Sequence, residues 1–300
     1  MVSQSTAGYD FPTLSLKGDN WSSIVQGLWK QYLVDILGWT KPQARRRIEL
    51  EISDDFHQGL LDWLQQVGWS FNESIVADVG CGTGALVAQL VKHHACVIAL
   101  EPSPTWGYAA RMRLNASGDE HQAQILRSNG ATLPIKDKSL DYVISLQVLG
   151  HVDRSAARQI VCEIARILKQ GGRAYVRFEN YLSFWEPHYH VKWFPLLPKF
   201  IGSIYLRAIG RNPWFLKAHI HYRLGVEVAF WCYQCGLRSL RWSDLGRKIK
   251  NPVGVHRWHT RLAARFLNLL PDWLLAASII CYLERGQMFS TTFALEVERV

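Results

Sequence analysis

The sequence predicts an α/β fold, a mostly parallel sheet wrapped by helices, and three observations carry that expectation. Between Ser74 and Arg177 short apolar runs alternate with helical stretches. The first run ends in a loop with glycines at 80, 82 and 84 that opens straight into a helix. A chain of 300 residues that is 48% hydrophobic buries a full core. Strands separated by helices are the sequence form of parallel pairing, because each parallel connection has to cross the sheet.

Residues 1–71 read as a helical, tryptophan-rich N-terminal cap, with Trp21, Trp29, Trp39, Trp63 and Trp69 among polar residues. Met1 to Asp10 has no basic region followed by an apolar stretch, so no signal peptide is expected. The domain proper then spans 72–300. Its expected strands are Ile75 to Val79, Cys96 to Leu100, Ile125 to Arg127, Tyr142 to Leu146 and Ala174 to Phe178. Before the last of these runs the best-defined helix. Asp153 can cap it, and Ala157, Ile160, Val161, Ile164, Ile167 and Leu168 recur at helical spacing until Lys169 and Gly171-Gly172 stop it. An aromatic, histidine-rich insertion, 179–222, follows and is too long and too apolar for a simple loop. The sheet resumes with a helix from Val226 to Cys235, a strand from Leu237 to Trp242 and, after a second insertion at 244–286, a strand from Phe289 to Val297.

The net charge of +9 and the pI near 9.3 favour anionic partners, leaving nucleic acid, phosphorylated substrates and acidic membranes open. The 6 cysteines do not form a secreted disulfide framework, which points to a reducing, cytoplasmic setting. Cys232 and Cys235 have no second pair and lie on an apolar helix, so packing is expected of them, not zinc or redox chemistry.

The chemistry starts at Asp78-Val79-Gly80-Cys81-Gly82-Thr83-Gly84. Glycines there let the backbone turn tightly and let a ligand approach the main chain. The same loop satisfies GxGxxA, with Glu101 near the distance at which an acid grips a ribose, so the loop alone leaves NAD and other nucleoside cofactors open.

Four ordered segments narrow the choice: VADVGCGTGAL, ALEPS, LPIKDKSLDYVISLQVLGHV and IARILKQGGRAYV. Together they resemble the class I S-adenosylmethionine-dependent methyltransferases, close to the type 11 group, over about a third of the chain. The resemblance implies a Rossmann-like, mostly parallel seven-stranded sheet and S-adenosyl-L-methionine as cofactor. It places Asp78, Gly80, Cys81, Gly82, Thr83 and Gly84 along the cofactor, Glu101 and Pro102 at its ribose, and Asn129 and Gly130 at its adenine. Leu146 and Gln147 would cover its flank. Asn129 stands where such enzymes usually place Asp, and its side-chain carbonyl can still accept the adenine amino group. His151 matches a histidine common in the group, but the usually acidic residue before it is Gly150.

The insertion 179–222 leaves the fifth strand on the side where open α/β sheets bind ligands, and is expected to wall the acceptor. A methyl displacement needs an aligned nucleophile and, for an oxygen acceptor, removal of its proton. His188, His190, Glu186 and, more weakly, His151 are the candidates for that task, with Tyr181 and Tyr189 as acceptor contacts; packing is the competing reading of each. No metal is expected, because Glu186, His188 and His190 lack a third protein ligand of matched spacing.

Between Gly236 and Arg265, running into the second insertion, eight Lys or Arg face one acid, Asp244, and an apolar stretch from Phe266 to Leu283 follows. Basic then apolar suggests peripheral contact with an anionic membrane, whereas Pro271-Asp272 breaks the stretch below spanning length. Nucleic acid is not expected, since no RNA module is recognisable. The expected activity is methyl transfer to a small-molecule or lipid-linked acceptor, at oxygen. The competing function is a non-catalytic S-adenosylmethionine-binding protein that docks to a membrane or partner.

Overall fold

A computed structural model describes residues 14–119, 121–242 and 292–300. The chain enters through α1 (Trp21–Lys30), a π-helical turn (Gln31–Ile36), α2 (Lys41–Ile52) and α3 (Gln58–Gln66). Asn20 caps α1 by accepting the Ser23 amide at 2.9 Å, and Pro42 lies in the first turn of α2, where its missing N–H costs nothing.

The sheet is built from β1 (Ile75–Val79), β2 (Cys96–Leu100), β3 (Ala123–Leu126), β4 (Leu140–Leu146) and β5 (Leu168–Glu179), with α4 (Ala85–Lys92), α5 (Pro104–Ser117) and α6 (Arg154–Ile167) between them. A two-residue hairpin follows, β6 (Trp185–Glu186) and β7 (Val191–Lys192), then α7 (Lys199–Ala208), α8 (Trp214–His219), α9 (Gly225–Gln234), β8 (Leu237–Trp242) and β9 (Thr292–Arg299). The seven long strands lie in the order β3-β2-β1-β4-β5-β9-β8. The first four pairings are parallel, and β9 runs antiparallel to both β5 and β8. This is the mostly parallel seven-stranded sheet that the resemblance implied.

One face of the sheet buries Val143, Val176 and Leu295 against Ile160 and Ile164 of α6 and Trp231 of α9. The other buries Val76, Val97 and Ile144 against α3, α4 and α5. A third cluster joins the N-terminal helices to the insertion, packing Leu28, Leu33 and Leu37 with Trp193, Leu206 and Phe215.

Three local expectations change. The strand expected at Ala174 begins at Leu168, so Lys169 and Gly171-Gly172 lie in β5, where the pairing with β4 shifts register. The helix expected to end at Leu168 ends at Ile167. Cys235 does more than pack: it forms a disulfide with Cys162, tying α9 to α6, while Cys81, Cys96 and Cys232 are free. The insertion 244–286, with its expected membrane contact, and the start of the last expected strand lie outside the described residues. Among those described, no helix is long and apolar enough to cross a membrane.

Candidate active site

All five parallel strands end at one edge, and a cavity of about 380 Å³ opens there. Its floor is the loop after β1. Gly80, Gly82 and Gly84 have φ of +82°, +54° and +74°, in the left-handed region that favours glycine. The three differ in what they permit. A Cβ at Gly80 would meet Val148 at 2.3 Å and one at Gly84 would meet Ala110 at 3.0 Å, so these two allow close packing within the chain. A Cβ at Gly82 would meet nothing within 4 Å. Its bareness leaves room in the cavity.

Two carboxylates flank the loop, Asp78 buried and Glu101 partly buried. Glu101 accepts from the Gly82 amide and the Ser103 amide, each at 2.9 Å. Burial raises its pKa to about 7 against the pull of those two amides. Asp78, 2% exposed, is raised to about 8 by burial and by the charge of Glu101. Asn129 Oδ1 accepts the Ala131 amide at 3.1 Å, which leaves its second lone pair for a ligand donor. Gln147 adopts φ +63°, and its buried Oε1 has no hydrogen-bond partner. Cys81, Thr83, Pro102, Gly130 and Leu146 also line the cavity, and Gly84 does not. An open cradle at Gly82, an orphaned acceptor on Gln147 and the carboxylates of Asp78 and Glu101 fit a nucleoside bearing hydroxyl and ammonium donors.

The opposite wall carries acid–base groups. His151 Nδ1 donates to the His219 carbonyl at 3.1 Å, so the neutral ring holds its lone pair on Nε2, 4.0 Å from Glu179 Oε1. Burial lowers the pKa of His151, with Glu179 opposing. His188 behaves differently. Burial would lower it too, but Nδ1 donates to Glu186 at 2.8 Å and Nε2 faces Glu179 at 3.5 Å, and the two carboxylates push it up to about 10. His188 is an imidazolium at neutral pH.

Glu186 is fully buried and does not line the cavity. It accepts from His188, from the Tyr189 amide at 2.6 Å and from Tyr222 Oη at 3.2 Å. His190 lies apart, against Trp39 and Trp185 with Nδ1 3.0 Å from Gln43. Tyr189 is buried with its hydroxyl on Asn212 and Leu216, and Tyr181 stacks on Tyr222, so neither reaches the cavity.

Several functional residues escaped the sequence reading. Glu179 ends β5 and reads as the first residue of the insertion, yet its carboxylate links both histidines. It also occupies the place of a side chain at Gly150, where a Cβ would meet Glu179 Oε2 at 1.9 Å. Tyr32 and Leu33 of the π-helical turn line the cavity, with Trp29, Trp39, Phe56 and Trp106 as further aromatic wall. His151, Glu179 and His188 are also the described residues that can hold a metal ion, since one ligand atom from each lies within 4.8 Å of the others. This trio shares only His188 with Glu186, His188 and His190, the three weighed from their spacing.

Residues 77–176 match the family model described as a methyltransferase domain. A demethylmenaquinone methyltransferase from Tropheryma whipplei is 31% identical over 183 residues, covering 61% of this chain and 72% of the relative. Among solved structures, a putative sarcosine dimethylglycine methyltransferase from Galdieria sulphuraria superposes with a TM-score of 0.54 at 15% identity, covering 94% of this chain and 98% of the other. Magnesium protoporphyrin IX methyltransferase from Synechocystis PCC 6803 with bound SAM gives 0.52 at 14% identity, covering 95% and 100%. The two structures share the fold, and the sequence relative fixes the kinship: the chain belongs to the class I methyltransferases, enzymes that use S-adenosylmethionine.

Proposed function

We propose that the chain methylates a ring-bearing small-molecule or lipid-linked acceptor at an ionisable oxygen. The observation that carries this reading is His151, a neutral imidazole with its lone pair on Nε2, in the wall of the same cavity as the glycine loop. S-adenosylmethionine supplies an electrophilic methyl carbon on a sulfonium when bound; the chain's residues do the rest. His151 Nε2 takes the acceptor hydroxyl proton, and the imidazolium so formed is steadied by Glu179 at 4.0 Å. His188 already holds its proton between Glu186 and Glu179, so it serves as a fixed positive charge beside the anionic nucleophile and keeps Glu179 in place. Trp29, Tyr32, Trp39, Phe56 and Trp106 give the cavity flat apolar surfaces that suit a ring. In this reading the helices from α1 to α3 close one side of the acceptor space and residues 179–222 the other.

A ring carbon is the second reading, favoured by the likeness to a demethylmenaquinone methyltransferase, a C-methyltransferase. The same base would serve, because an ionised ring hydroxyl activates adjacent carbon as well as oxygen. The test is a panel of hydroxylated ring compounds incubated with methyl-labelled cofactor and resolved by mass spectrometry and NMR. Methylated product is expected, with His151→Ala lowering kcat by about 10² to 10⁴ at unchanged cofactor affinity. Full activity of that variant would remove His151 from the base role.

A further inference from the structure

The helix α7 presents two unlike faces. Gly202, Ser203 and Leu206 are buried, and Gly202 lies so near Trp193 that a Cβ would meet its ring at 2.6 Å. On the other side Phe200 and Ile204, one helical turn apart, are 67% and 62% exposed. Phe194, Leu196, Ile209 and Trp214 in the flanking segments are exposed as well. These six large apolar side chains are thus exposed within residues 194–214, a concentration of the kind that interaction surfaces carry.

Charge selects the partner. From Pro187 to Val226 there are six Lys or Arg and no Asp or Glu, and Lys192, Arg207 and Lys217 are exposed beside the apolar residues. A second copy of this chain would bring the same cations to a symmetric contact. An anionic bilayer complements both features, since an interfacial helix buries its apolar face at the headgroup boundary and sets its cations against acidic headgroups. The buried face of α7 packs in the cluster that contains Tyr32, Leu33 and Leu37, which line the cavity.

We propose that the outer face of α7 and its flanking segments seat this protein on an anionic lipid bilayer, so that a lipid-linked acceptor reaches the cavity from the membrane. The docking stands on the surface alone; the delivery of acceptor rests on the function proposed above.

The test is flotation of the full chain with vesicles of phosphatidylcholine and of phosphatidylcholine with phosphatidylglycerol, at low and high salt. Binding to the anionic vesicles is expected, weakened at least tenfold by 0.5 M NaCl and by the double substitution Phe200→Asp/Ile204→Asp. Phe230→Asp, an exposed apolar position on α9, serves as the control and should bind as the unaltered chain does. Circular dichroism and cofactor titration on the same preparations report folding and the methyltransferase site separately. Unchanged vesicle binding by a folded double variant would overturn the proposal, as would absence of binding by the unaltered chain. So would a dimer in sedimentation velocity that the double substitution dissolves without any vesicle binding, because the face would then belong to a second copy. Cofactor binding without vesicle binding sinks the docking and leaves the enzyme; vesicle binding without cofactor binding does the reverse.

Discussion

Gly150 and Glu179 form one device across two segments. Because a Cβ at position 150 would stand 1.9 Å from Glu179 Oε2, Gly150→Ala should fold with the carboxylate displaced from both histidines. A misplacement of about 1 Å at such a site costs on the order of 10²-fold in rate. The expected outcome is that loss in kcat with cofactor affinity retained, measured once an acceptor is in hand; an unaffected rate would make Glu179 a packing residue. At the glycine loop, Gly82→Val adds a branched side chain at φ +54° in the space the cofactor needs, so calorimetry should show no cofactor binding. Glu101 links affinity to pH. Its pKa of about 7 is raised, so the free protein protonates it as pH falls through that value, and a protonated carboxyl accepts fewer hydrogen bonds. Cofactor affinity should therefore rise between pH 6 and 8, and Glu101→Gln should remove that part of the slope. Asp78, at about 8, adds to the slope in the same direction and survives the substitution.

The helix α6 is held by a cap at its N-terminus and by a disulfide from its interior, and both can be tested. Asp153 accepts the Ala156 amide at 2.9 Å, so Asp153→Ala should cost about 1 kcal/mol in denaturant unfolding. The Cys162–Cys235 disulfide closes a loop with a sequence separation of 73, and reduction should lower stability by up to about 4 kcal/mol; no response to reductant would mean the thiols are free in solution. These two ties also show what the sequence displays and what it hides. The Asp153 cap is legible because its signal is local, an Asp before a periodic apolar run. The disulfide is not, because it depends on how α9 lies against α6. The glycine loop and Glu101 were legible since each sits where a buried strand ends. Glu179 sits at such an end too, but the insertion that follows it masks the boundary. His188 and His190 look equivalent at a spacing of two only if the segment is extended. Instead, Glu186 pairs with Val191, residues 187–190 turn between them, and His190 at φ +55° points away from the cavity wall.

On the scale of the whole molecule, the cavity is assembled from three parts far apart in sequence. The sheet edge contributes Gly82 and Glu101, the N-terminal helices Tyr32 and Leu33, and the insertion His188. Each part packs on the others chiefly through the aromatic and aliphatic cluster that includes Trp106, Tyr32 and Phe215. A ligand that contacts only the sheet edge would order only the loops there, whereas one enclosed by all three parts stabilises them together. Cofactor at a hundredfold excess over Kd adds about 2.7 kcal/mol to global stability wherever it touches. Its distribution is the informative quantity. If the helices before β1 enclose the cofactor, hydrogen exchange should slow in α1 and the π-helical turn as well as in residues 80–84, and Tyr32→Ala should weaken the protection of α1 while sparing that of the loop. Protection confined to the loop would mean that those helices close only over the acceptor, and the same protection in α1 should then appear when a bound acceptor is added to the cofactor complex.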